Sequence, residues 1–335
     1  MENKFLKIDN KANWQDLLDK VLFKTFFHFL EWEDFLEKNF NWLKFERYLW
    51  PAQGGQVILS LARIRILGQE KLISHPFCEY GGPLPLVEKV DGQRFQKELF
   101  EEFKTPFKIS FHPKLLNYFK DIEFPENERE TLFFEEINQK SADEIWRTLD
   151  RNRRRSINSA LAQNLEVREC KNLKELKVFY HFYVKNLKRH QALPYPFSFF
   201  RFFFNHPQAK ILLAKKEKKI VGGNLFLHYN EISHSFLCGF EEKYRKLGVH
   251  SLVLWEKIKQ AQAERCGTFD FGATRKTSSI RDFKGRWGAK TYPIFELKNY
   301  SGQSKLKDSF LRDVWSWLPV SLIKILSPYF IKYKL

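Results

Sequence analysis

Apolar positions recur along this chain with two different periods, and the changes of period mark out its elements. Leu173 to Arg189 carries helical spacing, and so does Leu247 to Cys266, where Leu247, Leu254, Ile258 and Ala261 share one face and Gly267 follows as a stop signal. Gln56 to Leu67 reads as a strand through Val57, Ile58, Leu59, Leu61, Ile64 and Ile66, opening after Gly54-Gly55. Between these, Trp14 to Phe40 alternates aromatic and charged residues and predicts one or two helices. Val87 to Phe103 predicts another, and Phe107 to Phe111 and Leu132 to Ile137 predict strands. Ser141 to Asn164 reads as an amphipathic helix entered through a capping box, Ser141 with Glu144. Three strands follow at Ile211 to Ala214, Ile220 to His228 and Glu231 to Gly239; Gly222-Gly223 marks a bulge or a close backbone approach. Thr291 to Leu297 reads as a further short strand. At 335 residues the chain exceeds the usual single domain, so two domains of the α/β (α+β) class are expected.

The stretch from Phe269 to Lys290 stands apart. It reads F-D-F-G at Phe269 to Gly272, ten residues, then F-K-x-x-W-G at Phe283 to Gly288. This paired pattern, behind the helix carrying Ala261 to Cys266, is similar to the carboxy-terminal half of the FemAB-like acyltransferases. These are the peptidoglycan-bridge aminoacyltransferases and their relatives in the GNAT (acetyltransferase-like) superfamily, including members associated with exopolysaccharide loci. The resemblance covers about Asp150 to Tyr300. It implies two tandem acetyltransferase-like domains with mixed, largely antiparallel sheets, over 1–145 and 146–300, followed by an aromatic and basic tail over 301–335.

Charge narrows the partners. There are 57 Lys and Arg against 40 Asp and Glu, a formal net charge of +17, which favours polyanions such as nucleic acid, an anionic membrane surface or phosphorylated substrates. Cys78, Cys170, Cys238 and Cys266 lie far apart without a C-x-x-C pair, so neither a zinc site nor a disulfide framework is expected, and no metal. Met1 to Asp19 lacks the apolar core of a secretory signal, and no apolar run approaches about 18 residues. A cytoplasmic protein, peripheral at the inner face of the membrane, fits these features. The tail from Phe310 to Leu335 mixes Val314, Trp315, Trp317, Leu322, Ile325, Tyr329 and Phe330 with Lys324, Lys332 and Lys334, broken by Pro319 and Pro328. It suits either a membrane headgroup boundary or packing back onto the amino-terminal domain.

The resemblance assigns roles residue by residue. Lys284 matches the lysine of the F-K pair, which sits near the transferred group in relatives and is expected to stabilise negative charge there. Asp270, inside an apolar strand, either anchors the following loop or acts as a general base. His190 is a general base or a structural histidine, and Arg189 and Tyr195 stand where relatives position the acceptor. Arg153, Arg154 and Arg155 form either an anion-binding helix or a solvated face. Arg275 gives the loop after Gly272 a positive face for phosphate, and Trp287 packs under that loop or stacks on a sugar. Arg245 and Gly248 match the donor-phosphate loop of acetyltransferases, Q/R-x-x-G-x-G/A, but His250 replaces its small residue, which counts against coenzyme A.

No tightly bound cofactor is expected; the acyl donor is a co-substrate, aminoacyl-tRNA or acyl-coenzyme A. The acceptor is expected to be an amine or hydroxyl on a phosphorylated saccharide, a lipid-linked glycan or a peptidoglycan precursor. The helical arm that some members use for tRNA has no counterpart stretch here. Two rivals remain beside this reading: an acyl-coenzyme A N-acyltransferase of the same fold, and a non-catalytic basic protein that binds membranes or nucleic acid.

Overall fold

A computed structural model describes residues 4–51, 56–125, 128–300 and 317–335. The chain divides into two units, Met1–Thr131 with Tyr292–Gly302, and Leu132–Thr291 with Gln303–Leu335. The division therefore falls before the expected boundary at 145, and residues 292–300 belong with the first unit instead of the second. Strand pairing is the reason, as each sheet shows below.

The first unit contains β1 (Leu6–Lys7), α1 (Lys11–Leu18), α2 (Leu30–Asn39), β2 (Leu43–Trp50), β3 (Val57–Ile66), β4 (Gln69–Ile73), β5 (Leu84–Pro85), β6 (Val90–Asp91), α3 (Gly92–Glu102), β7 (Phe107–Phe111) and β8 (Phe119–Lys120). Its main sheet runs β1-β2-β3-β4-β7 and is completed by a late strand, β16 (Phe295–Lys298), antiparallel to β7. Among the described strands of this sheet, β4 and β7 form the parallel pair. Gly54-Gly55, the expected opening of β3, lie outside the described residues. The helix expected from Val87 is shorter, because Val90–Asp91 pairs with β8 and the Asp91 side chain caps α3 by accepting from Arg94 N–H.

The second unit begins in β9 (Arg129–Glu135) and continues through α4 (Ala142–Thr148), α5 (Arg151–Ala162), β10 (Leu165–Glu169), α6 (Leu173–Arg189), α7 (Phe197–Phe204), β11 (Ala209–Lys216), β12 (Lys219–Tyr229), β13 (Ile232–Phe240), α8 (Glu242–Arg245), α9 (Val249–Ala263), β14 (Thr268–Arg275), α10 (Ser279–Gly285) and β15 (Lys290–Pro293). After β16 comes α11 (Val320–Phe330). The sheet order is β10-β11-β12-β13-β14-β9-β15, antiparallel as far as β13 and parallel between β13 and β14. Each unit thus holds one mixed, largely antiparallel sheet, as the tandem acetyltransferase-like reading requires.

Several expectations are corrected in detail. The Ser141–Glu144 capping box is present, but the helix it opens stops at Thr148, and a second helix starts at Arg151 with Asp150 as its cap. The strand expected over Thr291 to Leu297 is two strands in different sheets, β15 and β16. Gly267 is not the stop of α9; Arg265 adopts the left-handed turn, with φ of 59°. The Gly222-Gly223 expectation holds on both counts. The β11–β12 register shifts beside Gly222, and a Cβ on Gly222 would lie 2.2 Å from the Phe240 ring.

Helix α9 is buried on most of its circumference, Val249, Leu252, Val253, Leu254, Ile258 and Ala261 among its core residues, because the sheet and α5 both pack on it. Helix α6 lies on β13 so closely that a Cβ on Gly239 would come within 2.3 Å of the Tyr183 nitrogen. Glycine is what lets these two backbones meet. The tail helix α11 packs on α6 through Ile323 and Ser327, so its support is the second unit and not the expected amino-terminal one. Phe310, Val314 and Trp315 lie outside the described residues. Pro328 sits inside α11 and cannot donate to the Lys324 carbonyl; Ser327 Oγ donates to it instead at 3.4 Å. Among the described residues no helix is long and apolar enough to cross a membrane.

Candidate active site

Parallel strands β13 and β14 pair only at Ile232↔Thr268, Ser233↔Phe269 and His234↔Asp270. Strand β13 nevertheless runs on to Phe240 and β14 to Arg275. The cause is visible one strand away: on β12, Leu225 faces Leu237 and Phe226 faces Ser235, so Phe236 is an extra residue. Such a bulge bends the strand that carries it. The two strands therefore part after His234, and a wedge opens in the middle of the sheet. Ser235, Phe236, Leu237 and Cys238 are half-exposed there, although their strand is central and its two ends are buried. The bulge at Phe236 and the place of Cys238 beside it went unread in the sequence, where the available signal was a short polar run, Ser233 to Ser235, inside an otherwise apolar strand.

The F-D-F-G and F-K-x-x-W-G residues build the far wall of the wedge. Asp270 is fully buried, and its Oδ1 accepts the Gly272 N–H at 2.7 Å, with His234 Nε2 3.9 Å from Oδ2. This geometry holds a local kink inside β14 at Gly272, whose φ is 75°. Asp270 thereby anchors the backbone of β14 at Gly272. Lys284, on α10, is nearly buried and donates to the carbonyls of Gly272 at 2.6 Å and Ala273 at 3.1 Å. The ammonium thus closes the open end of β14 and holds a positive charge beside the wedge; its field, with that of Arg245, reaches Cys238 and His250. Burial raises the Cys238 thiol above its ordinary value, more than those two cations lower it.

Trp287 is fully buried against Phe271 at 5.6 Å, so it supports β14 from beneath and is not a surface for a sugar. Arg153 is corrected in the same way. Its guanidinium is buried, donates to Ser251 Oγ at 2.6 Å and to the Phe283 carbonyl at 3.1 Å, and lies over the rings of Phe283 and Trp287 at 4.1 and 5.1 Å. Burial, with Arg286 nearby, lowers its pKa to about 10. It clamps α5 to α9 and α10. Arg154 is half-buried and reaches the Arg147 carbonyl, whereas Arg155 and Arg275 are exposed.

Beyond the β13 end, Glu242 bridges Arg189 and Arg245, which brings the end of α6 to α8. His190 caps α6 there, largely exposed, its pKa lowered by partial desolvation against the protein and by the charges of Arg189 and Arg245. The sequence candidates Arg189, His190 and Arg245 therefore converge, and Lys284 joins Arg245 in acting on Cys238. Tyr195 meets the wedge from a different side, stacked on the bulge residue Phe236 at 6.2 Å. It is buried, stacked on Phe199 at 5.0 Å, with its backbone held by Tyr180 and Tyr183 hydroxyls.

The start of α9 is covered. Gly248 precedes it with φ of 83°, and a Cβ there would fall 2.0 Å from the Ser156 carbonyl oxygen of α5. His250 is packed between Phe240 at 4.9 Å and Phe283 at 5.0 Å, the latter stacked at 11°. Burial, then Arg245, Arg153 and Lys284, push its pKa down to about 3. The large residue that departs from the donor loop thus ties α9 to the motif helix. Elsewhere in this unit, His228, Glu264 and Cys266 converge within 4.8 Å of one another beside a cleft of about 260 Å3. Glu264 already receives Lys210 and Lys257, two ammonium groups that make the cluster a poor host for a cation.

Strand, strand, helix, strand, the order in which β12, β13, α9 and β14 run, is the core order expected of an acetyltransferase-like domain. Residues 147–285 match the family model described as an acetyltransferase (GNAT) domain. In fold, the chain is FemAB-like. The crystal structure of FemX superposes with a TM-score of 0.61 at 15% identity, covering 87% of this chain and 96% of that one. L-PGS from Bacillus licheniformis gives 0.55 at 10% identity, over 92% and 98%. The C-terminal domain of a putative lysylphosphatidylglycerol synthetase from Agrobacterium fabrum gives 0.51 at 10%, over 73% and 81%. A search of curated proteins finds no match to the sequence.

Proposed function

We propose that the protein transfers an aminoacyl group from charged tRNA to an amine or hydroxyl of a cell-envelope precursor: a peptidoglycan precursor, a lipid-linked glycan or an exopolysaccharide unit. The observation that carries the choice of donor is the covered start of α9. Coenzyme A-dependent enzymes of this fold seat the donor pyrophosphate on the first amides of that helix. Here the Ser156 carbonyl, Arg153 and the stacked His250 ring surround it. A donor held through an RNA backbone needs no such cradle, and a net charge of +17 suits it.

In the reaction the acceptor nucleophile attacks the ester carbonyl, the new C–N or C–O bond forms, and the C–O bond to the terminal ribose breaks. The proton leaves the nucleophile and ends on the ribose hydroxyl. Lys284 stabilises the oxyanion that develops between these events. The proton passes by way of solvent or substrate. Arg189, Arg245, Arg275 and Arg155 are exposed cations for the phosphates of donor and acceptor.

The test is a titration of the purified chain with charged tRNA, uncharged tRNA and coenzyme A at two salt concentrations. Saturable preference for charged over uncharged tRNA supports the reading. Saturable coenzyme A binding with protection against thermal unfolding overturns it and installs the acyl-coenzyme A alternative.

A further inference from the structure

Surface helices of a strongly charged protein ordinarily turn their charges outward. Helix α11 does the reverse. Ile323 and Ser327 are buried against α6, while Leu322, Ile325 and Tyr329 on the outer side are 43%, 62% and 71% exposed, and Trp317 just before the helix is 86% exposed. The helix has one charged residue, Lys324, and it is turned toward α6, where Nζ lies 3.4 Å from His181 Nδ1 and 5.6 Å from the Tyr180 ring centre. A contiguous apolar face of this kind marks a contact with something else.

The charge around that face selects the occupant. From Trp317 to Leu335 the sequence has three lysines, Lys324, Lys332 and Lys334, and no acidic residue. On α6, Lys177 and Lys185 are exposed four residues to either side of His181, the residue that meets Lys324. Leucine, isoleucine, tryptophan and tyrosine framed by lysines match the acyl and headgroup layers of an anionic bilayer. A second copy of this chain would bring the same lysines against each other. With 11 residues at about 1.5 Å per residue, α11 is about half of the roughly 30 Å needed to span. It lies along the surface.

We propose that the outer face of α11 docks the protein on an anionic lipid bilayer, Trp317, Leu322, Ile325 and Tyr329 entering the headgroup boundary and the lysines meeting lipid phosphates. The inference goes beyond the transfer reaction and does not rest on its donor or acceptor.

The experiment is co-sedimentation of the full chain with vesicles of phosphatidylcholine alone and of phosphatidylcholine with phosphatidylglycerol, at low and high salt. The wild type is expected to bind the anionic vesicles, more weakly at high salt. The double variant Ile325→Glu, Tyr329→Glu, on exposed positions that leave the α6 contact intact, is expected to lose affinity by about a hundredfold or more. Its circular dichroism and melting temperature check that it is folded. A charge-only variant, Lys332→Gln with Lys334→Gln, should lose about tenfold, and only on anionic vesicles. Absence of binding to anionic vesicles overturns the proposal. So does equal binding by a folded double variant, and so does a wild-type dimer that the double variant converts to monomer, which would make the face a contact between copies.

Discussion

Arg153 provides the most exacting test of the site's architecture. The sequence suggested a phosphate ligand, and the structure makes it a clamp. Replacement by Met removes two hydrogen bonds from a charged donor, to Ser251 Oγ and the Phe283 carbonyl, each worth about 1.5–3 kcal/mol. It also removes the stacking over Phe283, about 1–2 kcal/mol when desolvated. Against this stands the cost of holding the guanidinium in the interior. No carboxylate pairs with Arg153 among the described residues, and lowering its pKa from 12.5 to about 10 corresponds to about 3 kcal/mol. Met fills most of the same volume and buries an apolar thioether and methyl where the guanidinium lay, so the terms offset in part and the net loss is expected at about 1–3 kcal/mol. Arg153→Ala leaves a void as well and is expected to cost about 3–5 kcal/mol. Urea denaturation of both variants measures these values. A Met variant destabilised as much as the Ala variant would show that the desolvation cost has been overstated. A Met variant that keeps its stability but loses donor affinity would restore Arg153 as a ligand and refute the clamp.

Two further predictions concern other groups. His28 is buried, with Nδ1 accepting the Thr25 N–H at 3.0 Å and Nε2 facing the Gly82 carbonyl at 3.2 Å; burial lowers its pKa from 6.5 to about 4. A base with a depressed folded pKa contributes stability that is complete above pH 6.5 and is lost as the pH falls toward 4, here up to about 3 kcal/mol. Urea midpoints at pH 7 and pH 5 should therefore differ less in His28→Asn than in wild type, and parallel slopes would show that His28 does not titrate in this window. Lys284→Met should cost about 1–3 kcal/mol by leaving the Gly272 and Ala273 carbonyls without their donor, and should lower turnover about a hundredfold to a thousandfold with the substrate pair that the donor titration identifies. Full turnover in a folded variant would remove Lys284 from the chemistry.

Local patterns were legible and long-range ones were not. Helix α6 runs from Leu173 to Arg189 as its periodicity predicts, and the Ser141–Glu144 box caps a helix as its spacing predicts. Both are decided within one or two turns of chain. The break at Leu149 and Asp150 was hidden because residues on each side keep helical spacing, and only the packing of Leu149 and the Asp150 cap end one helix and begin the next. The wedge was hidden more deeply. Phe236 becomes a bulge through its register with β12, and Cys238 becomes half-exposed because β14 departs, neither of which is a property of the residues themselves. Arg153 sits in a run of arginines that composition treats alike; Ser251 and Phe283, 98 and 130 residues away in the chain, single it out.

The return of the chain to the first sheet has a consequence for biosynthesis. Strand β7 is complete at Phe111, but its antiparallel neighbour β16 begins at Phe295, about 180 residues later. At the ribosome's pace that interval lasts on the order of ten seconds or more. During it, the β7 edge that Phe295 to Lys298 will cover remains a bare template for any passing strand. Shielding by a chaperone would matter most in that window. A fragment cut at residue 131 would carry the same bare edge permanently, so an expressible amino-terminal unit needs residues 292–302 joined back to it.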